Sequence, residues 1–325
     1  MPPAPTEVSL ELRPDSRLEI VDVRDLVRER HEPLLREFPR AAYSSYHTTA
    51  GFVEPTLAAR LDHDKDAISE YIRSFQSLFP PQADYHHDQM ELRSELSENE
   101  RAQEPRNADS HLTFISSGLA NCVAVPNSPD TPVYFVELDG VHHAGRRKRQ
   151  TTVLGYSRER FVEERSVRLP ASDHPVASVN LADENLGLLE QIRELVSAHE
   201  IRAGRVDLML GPEEEHAALT VNEYETLLMK HDLPEVLRDP LRFVAEKGIR
   251  AIQNPGAVPH RAIEYAKYDM VFLLNKMLDK LGMNDSFVER LMEKFVAMPA
   301  SRFLRMKRSV RLLVAGSRPN ANGEP

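Results

Sequence analysis

Three observations predict an α+β fold followed by a mainly helical C-terminal region. Over residues 7–156, short apolar segments of strand length alternate with turns, and only two substantial stretches have helical periodicity. Beyond a charged, proline-flanked stretch at 158–175, the apolar spacing becomes that of helices. Twenty-three prolines keep the individual elements short. The predicted divisions are 7–157 for the α+β unit, 176–315 for the helical extension and 316–325 for a disordered tail.

The elements follow in order. Glu7 to Arg13 alternates well enough for an edge strand, and Ser16 to Asp22 reads as the second strand of a hairpin. Val23 to Phe38 places Leu26, Val27, Leu34 and Leu35 at helical spacings, with Pro39 ending the helix. Ala42 to Thr49 reads as a strand that supplies His47, and Thr56 to Phe79 as largely helical until Pro80 and Pro81. Tyr85 to Gly118 is a polar stretch ending in a short helix from His111. Strands are predicted at Leu119 to Val125, Val133 to Leu138 and Lys148 to Tyr156. In the second half, helices are predicted at 186–199, 221–230, 234–247, 262–281 and 285–295, with Asp285 placed as an N-cap.

Whole-chain properties narrow the function classes. Hydrophobic residues make up 41% and charged residues 28% of the chain, and no run of eighteen apolar residues occurs, so no membrane partner is expected. The N-terminus carries no secretory pattern, and the single cysteine, Cys122, rules out an intramolecular disulfide. Both fit a reducing cytoplasm. A formal charge of −10 repels nucleic acid over most of the surface.

Tyr85 to Gly118 concentrates the chemistry. It holds His86, His87, Asp88, Asp109 and His111, and imidazole and carboxylate are the usual protein ligands of zinc and related divalent ions. His47, His87 and His111 come from three separate elements and can converge only through the fold. Asp88 can orient a histidine through its second ring nitrogen or act as a base. Asp109 and Ser110 can instead cap the helix expected at His111. Glu137 lies in the apolar run VYFVEL, where a carboxylate is costly unless paired or exposed. Arg146, Arg147, Lys148 and Arg149 form the run RRKR, suited to phosphate or carboxylate, although alternate residues of a strand divide between its faces. Cys122, in an apolar strand, reads as an inert core thiol.

The motifs HTTAGFVE at 47–54, YHHD at 85–88 and NADSHLTFISSG at 107–118 resemble the YjbQ-like family. That family was once catalogued as uncharacterised protein family 47 and is sometimes labelled secondary thiamine-phosphate synthase. VPN at 125–127 and VELDGVHHAGRR at 136–147 continue the resemblance over about residues 7–156. It implies an antiparallel sheet sandwich with packed helices, assembled as a trimer, and a metal-associated cluster of His47, His87 and His111. It selects His87 over His86 as the inward residue and gives Asp88, Glu137 and Arg147 places beside the metal or substrate. The chain departs from the family pattern where SPDTPVYF replaces a G-T-W-Q segment. It departs again in the expanded loop MELRSELSENERAQEPR, which alters a substrate wall.

The expected function is therefore a metal-assisted enzyme acting on a phosphate- or diphosphate-bearing small molecule, by transfer or hydrolysis. In this reading His47, His87 and His111 hold a divalent metal, with zinc favoured and iron or manganese as alternatives. Asp88 and Glu137 are the catalytic carboxylates, and Arg146 and Arg147 contact the phosphate. Two alternatives stand beside it: a non-catalytic metal- or ligand-binding oligomer, and a redox metalloenzyme of a specialised biosynthetic pathway.

Overall fold

A computed structural model describes residues 3–81, 85–92, 97–128, 130–142, 145–169, 177–211, 217–220, 232 and 309–314. In the first half the elements are β1 (Thr6–Leu12), β2 (Glu19–Asp22), α1 (Val23–Glu37), β3 (Arg40–Ser44), β4 (Ala50–Phe52), α2 (Pro55–Arg60), α3 (Lys65–Leu78), α4 (Glu98–Gln103) and α5 (Ala108–Ser117). They continue with β5 (Cys122–Pro126), β6 (Tyr134–Glu137), β7 (Val141–His142), β8 (Gly145–Arg146) and β9 (Arg149–Tyr156). The described part of the second half contains β10 (Ala177–Asn180), α6 (Leu188–Ala198), β11 (Gly204–Met209), β12 (Ala217–Thr220) and β13 (Ser309–Val314).

Two antiparallel sheets and a helical layer build the first half. One sheet runs β1-β9-β3-β5 and the other β2-β6-β4. Period-two alternation along β6 decides the layering. Phe135 packs with Tyr43, Phe52, Val153 and the α1 residues Val23, Val27 and Leu34 in the core between the sheets. Its neighbour Val136 joins Ile20 against Ile68 and Ile72 of α3 and Leu112 and Ile115 of α5. The three-stranded sheet is thus buried on both faces. The far face of the four-stranded sheet, carrying Ala42, Leu154 and Tyr156, is met by Ala203 and Leu313 of the second half.

Several elements differ from the sequence-based expectation, each for a local reason. β1 and β2 do not form a hairpin, because β1 pairs with β9 while β2 pairs with β6 in the other sheet. The helix expected over 56–79 is two helices. Asp62 and His63 take positive φ of 53° at the break, and Asp64 restarts the helix by accepting the N–H of Ala67 at 2.7 Å. The strand expected through Thr49 ends at Ser44, which leaves His47 in the loop before β4. Inside α1, Pro33 lacks the N–H for its turn and His31 leaves helical geometry (φ −141°, ψ 40°). Helix α5 starts three residues before His111 and ends at Gly118, whose φ of 73° suits the left-handed C-terminal position.

The described residues of the second half include four strands and one helix. Helix α6 falls within the predicted 186–199; the other four predicted helices and the 316–325 tail lie outside the described residues. Among the described residues no helix is long and apolar enough to cross a membrane. Cys122 is fully buried, and desolvation pushes its thiol up to about 11.

Arg24 ties α1 to the β5–β6 connection. Only 1% exposed, it donates to the carbonyl oxygens of Pro126 (2.8 Å), Ser128 and Thr131. Arg24→Met keeps the buried stem but removes the donor from three carbonyl oxygens, and is expected to lower stability by about 1–2 kcal/mol in urea unfolding. An unchanged midpoint would show that the carbonyls find other donors at no cost.

Candidate functional site

The site grows from a buried ion pair that spans the two sheets. Glu137 is 1% exposed on the central strand β6, with Glu19 and Ala50 as its ladder partners. Arg149 is 6% exposed at the start of β9. Its guanidinium donates through Nε to Glu137 Oε2, and through Nη2 to Glu137 Oε1 (2.7 Å) and Thr49 Oγ1 (2.8 Å). This is the bidentate fork that makes arginine the preferred buried partner of a carboxylate.

A second pair is hung from the first. The backbone N–H of Asp139 donates to Glu137 Oε1 at 2.8 Å, which fixes a fully buried carboxylate. Arg147 donates to Asp139 Oδ2 through Nε (3.2 Å) and Nη2 (2.6 Å), and Asn107 Nδ2 donates to the same oxygen at 2.8 Å. The Arg147 side chain is 28% exposed, so this guanidinium is both anchored and open to solvent.

Asn107 leads into α5, where the histidines enter. The first N–H of the helix, Ala108, donates at 3.1 Å to Asp88 Oδ1, so a carboxylate from a distant turn occupies the positive end of α5. His87 Nδ1 lies 2.9 Å from the same oxygen. A carboxylate only accepts, so Nδ1 carries the proton and Nε2 is left as the imidazole's basic atom. The rings of His87 and His111 sit with centroids 5.0 Å apart. His87 is the inward member of its pair, with a side chain 3% exposed against 49% for His86. The turn bearing them is held by Asp232 of the second half, whose Oδ1 and Oδ2 accept the N–H groups of His86 (2.7 Å) and His87 (3.3 Å).

Acceptors outnumber donors in this region. Asp109 is paired with Arg17 Nη2 at 2.8 and 2.9 Å, yet burial outweighs that attraction and, with Asp88 and Asp139 close by, lifts its carboxyl to about 6. Burial, with Asp109, Asp232 and Asp88 adding, likewise pushes the Tyr85 hydroxyl well above its ordinary value. Among the described residues, three buried oxygens, Asp88 Oδ2, Asn107 Oδ1 and Asp139 Oδ1, find no hydrogen-bond donor.

The predicted site residues are distributed as follows. His87, Asp88 and His111 meet. His47 lies at β9 instead, where Nε2 accepts the N–H of Gln150 at 3.1 Å. Among the described residues no group of three or more His, Cys, Asp or Glu is placed to hold a metal ion, so the three-histidine cluster is not assembled. Both oxygens of Glu137 are engaged by Arg149 and Asp139, an arrangement that positions neighbours. Arg146 pairs with Asp15 at the surface, side chains 60% and 75% exposed, away from this network. Asp109 and Ser110 lie within the first turn of α5, and Asp88 does the capping that either was expected to do.

Asp139, Asn107, Arg17 and Asp232 are not among the site residues expected from the sequence, and Arg149 enters there only as part of the run RRKR. Strand parity could have found Arg149, because residues 147 and 149 share a face while 146, 148 and 150 take the other. Asp139 stands two residues beyond Glu137 in the same run. Asp232 carries no local signal.

With this geometry in place, comparison with known proteins adds a likeness. No family model matches the chain, and no curated protein does. Over a little under half of its length, the chain is similar to solved YjbQ-like structures. A YbjQ-like protein of unknown function from Sulfolobus solfataricus P2 is 18% identical, aligned over 47% of this chain and 99% of its own, with a TM-score of 0.32. A hypothetical protein from Aeropyrum pernix K1 is 22% identical over 47% and 99%, with a TM-score of 0.31. An uncharacterised conserved protein of the YjbQ/UPF0047 family from Clostridium acetobutylicum is 19% identical over 45% and 97%, with a TM-score of 0.30. The fold itself is established by the strand pairings above.

The environment of His47 sets a pH dependence. Burial, reinforced by the cations Arg149 and Arg147, lowers its pKa from 6.5 to about 4. Between those values the unfolded chain binds a proton that the folded chain does not, so stability falls as pH drops from 6.5 towards 4. NMR titration is expected to show the His47 ring neutral at pH 5.5. A ring that protonates near 6.5 would show that it is not buried beside the two arginines.

Proposed function

We propose that the first half is a metal-assisted enzyme acting on a phosphate- or diphosphate-bearing small molecule. The observation that carries this reading is the excess of buried acceptors around His87. Among the described residues of the hydrogen-bonded network that runs from Glu137 to His87, the carboxylates of Asp88, Asp109, Glu137, Asp139 and Asp232 outnumber the guanidiniums of Arg17, Arg147 and Arg149, and three buried oxygens lack donors. Acceptors without donors in a net-negative enclosure suit a divalent cation.

Such an ion would take a different ligand set from the three-histidine one. His87 Nε2 would be a ligand with His111 alongside, and the oxygens of Asn107 and Asp139 would have to shift to complete the set, since among the described residues no three His, Cys, Asp or Glu side chains are placed to hold a metal. A mixed imidazole and oxygen set suits manganese, iron or zinc, and metal analysis of the purified protein distinguishes them. The ion supplies Lewis acidity towards a phosphoryl oxygen.

The chain's own residues supply the rest. Asp88 fixes the His87 tautomer and orients the ring, so that Nε2 is presented to the ion. Asp139 anchors Arg147 so that its exposed guanidinium edge can meet the anionic group. Asp109, with its carboxyl near 6, is a second group able to hold a proton near neutrality.

Manganese titration followed by electron paramagnetic resonance, with and without pyrophosphate, tests the reading. His87→Ala and Asp88→Asn are each expected to weaken manganese binding at least about tenfold. Arg147→Gln should lower pyrophosphate affinity by about tenfold while manganese still binds. Manganese binding that is absent, or unchanged in the His87 and Asp88 variants, would overturn it.

A further inference from the structure

A cavity of about 460 Å³ is lined by residues of both sheets and of α1, with the Glu137–Arg149 pair in its wall and no histidine among its lining residues. Strand register builds it. Val21 and Phe135 are ladder partners on β2 and β6, as are Glu19 and Glu137, and these four share the face directed at the four-stranded sheet. Leu12 and Arg149 are partners on β1 and β9. Leu26 and Arg30, four residues apart on α1, stand one above the other over the opening.

The charges around this cavity are unequal in availability. Glu137 is committed to Arg149, and at the rim Glu11 is bound by Arg13. Glu19 accepts the backbone N–H of Asp15 at 2.6 Å. Among the described residues Arg30 has no ion pair or hydrogen bond, so it is the one side-chain donor of the cavity left unengaged. Leu12, Val21, Leu26 and Phe135 supply an apolar wall below it.

We infer that this cavity binds an amphipathic monoanion, an apolar chain carrying a single carboxylate. The chain lies against Leu12, Val21, Leu26 and Phe135, and the head group meets Arg30. Glu19 and Glu137 at the base disfavour a second negative charge on the ligand, which separates this site from the one proposed for phosphate. Because the base of the cavity is the Glu137–Arg149 pair, an occupant here rests against the same strands that position Asp139 and Arg147.

Isothermal titration with octanoate tests the inference, with octylammonium as a probe of equal length and opposite charge. Saturable octanoate binding is expected, weakened about tenfold in Arg30→Gln and abolished in Leu26→Trp, which fills the cavity. His87→Ala is expected to leave it unchanged. The inference is overturned if octanoate does not saturate, if octylammonium binds equally well, or if Arg30→Gln has no effect. Loss of binding in His87→Ala would also overturn it, by placing the carboxylate in the other site. Circular dichroism of each variant confirms that the fold is kept.

Discussion

The structure depends on one buried ion pair. Glu137 sits mid-sheet on β6 and Arg149 at the start of β9, so their bidentate contact joins two sheets whose backbones otherwise meet, among the described residues, at the bridge between Phe52 of β4 and Ala120 before β5. Neither residue has water to fall back on, and a buried charge without its partner costs several kcal/mol. The pair adds little net stability over well-packed apolar residues, but it fixes where β9 stands relative to β6. Everything polar in the site is referred to that position. Glu137 aims the Asp139 backbone, Asp139 holds Arg147 and Asn107, and Asn107 leads into α5, whose first N–H meets Asp88 beside His87.

This dependence explains why the histidines alone were a poor guide to the chemistry. His47 is three residues from Ala50, the β4 partner of Glu137, yet its ring accepts from Gln150, and burial, with Arg149 and Arg147 adding, favours its neutral form. His87 and His111 gain their character from carboxylates: Asp88 pins one ring, and Asp109 lies two residues before the other. The site reads better as an acceptor-rich enclosure with two imidazoles at its edge than as a set of three imidazoles. Asp232 adds that the second half of the chain takes part, because it holds the turn on which His86 and His87 ride.

The sequence made some of this legible. Helical spacing located α1, and apolar alternation located β6 and β9 to within a residue or two. The layering was less visible, because β1 and β2 have the composition of a hairpin and nothing local says that each pairs across the molecule with a different strand. Parity along 146–150 held the information that Arg149 points inward with Arg147, and Arg146 outward to Asp15. Helix caps misled for the same reason as the hairpin. Asp109 is a good local candidate, yet the carboxylate that caps α5 comes from twenty residues earlier. Short polar turns and contacts such as Asp232 to His86 carry no period, so only the folded chain reveals them.

A double-mutant cycle on Glu137→Gln and Arg149→Met tests the central claim most directly. Urea unfolding of the four proteins is expected to give a coupling energy of at least about 2 kcal/mol, with each single variant less stable than the double variant would suggest from additivity. Additive effects within about 0.5 kcal/mol would contradict the claim, by showing that the two sheets hold their register without this pair.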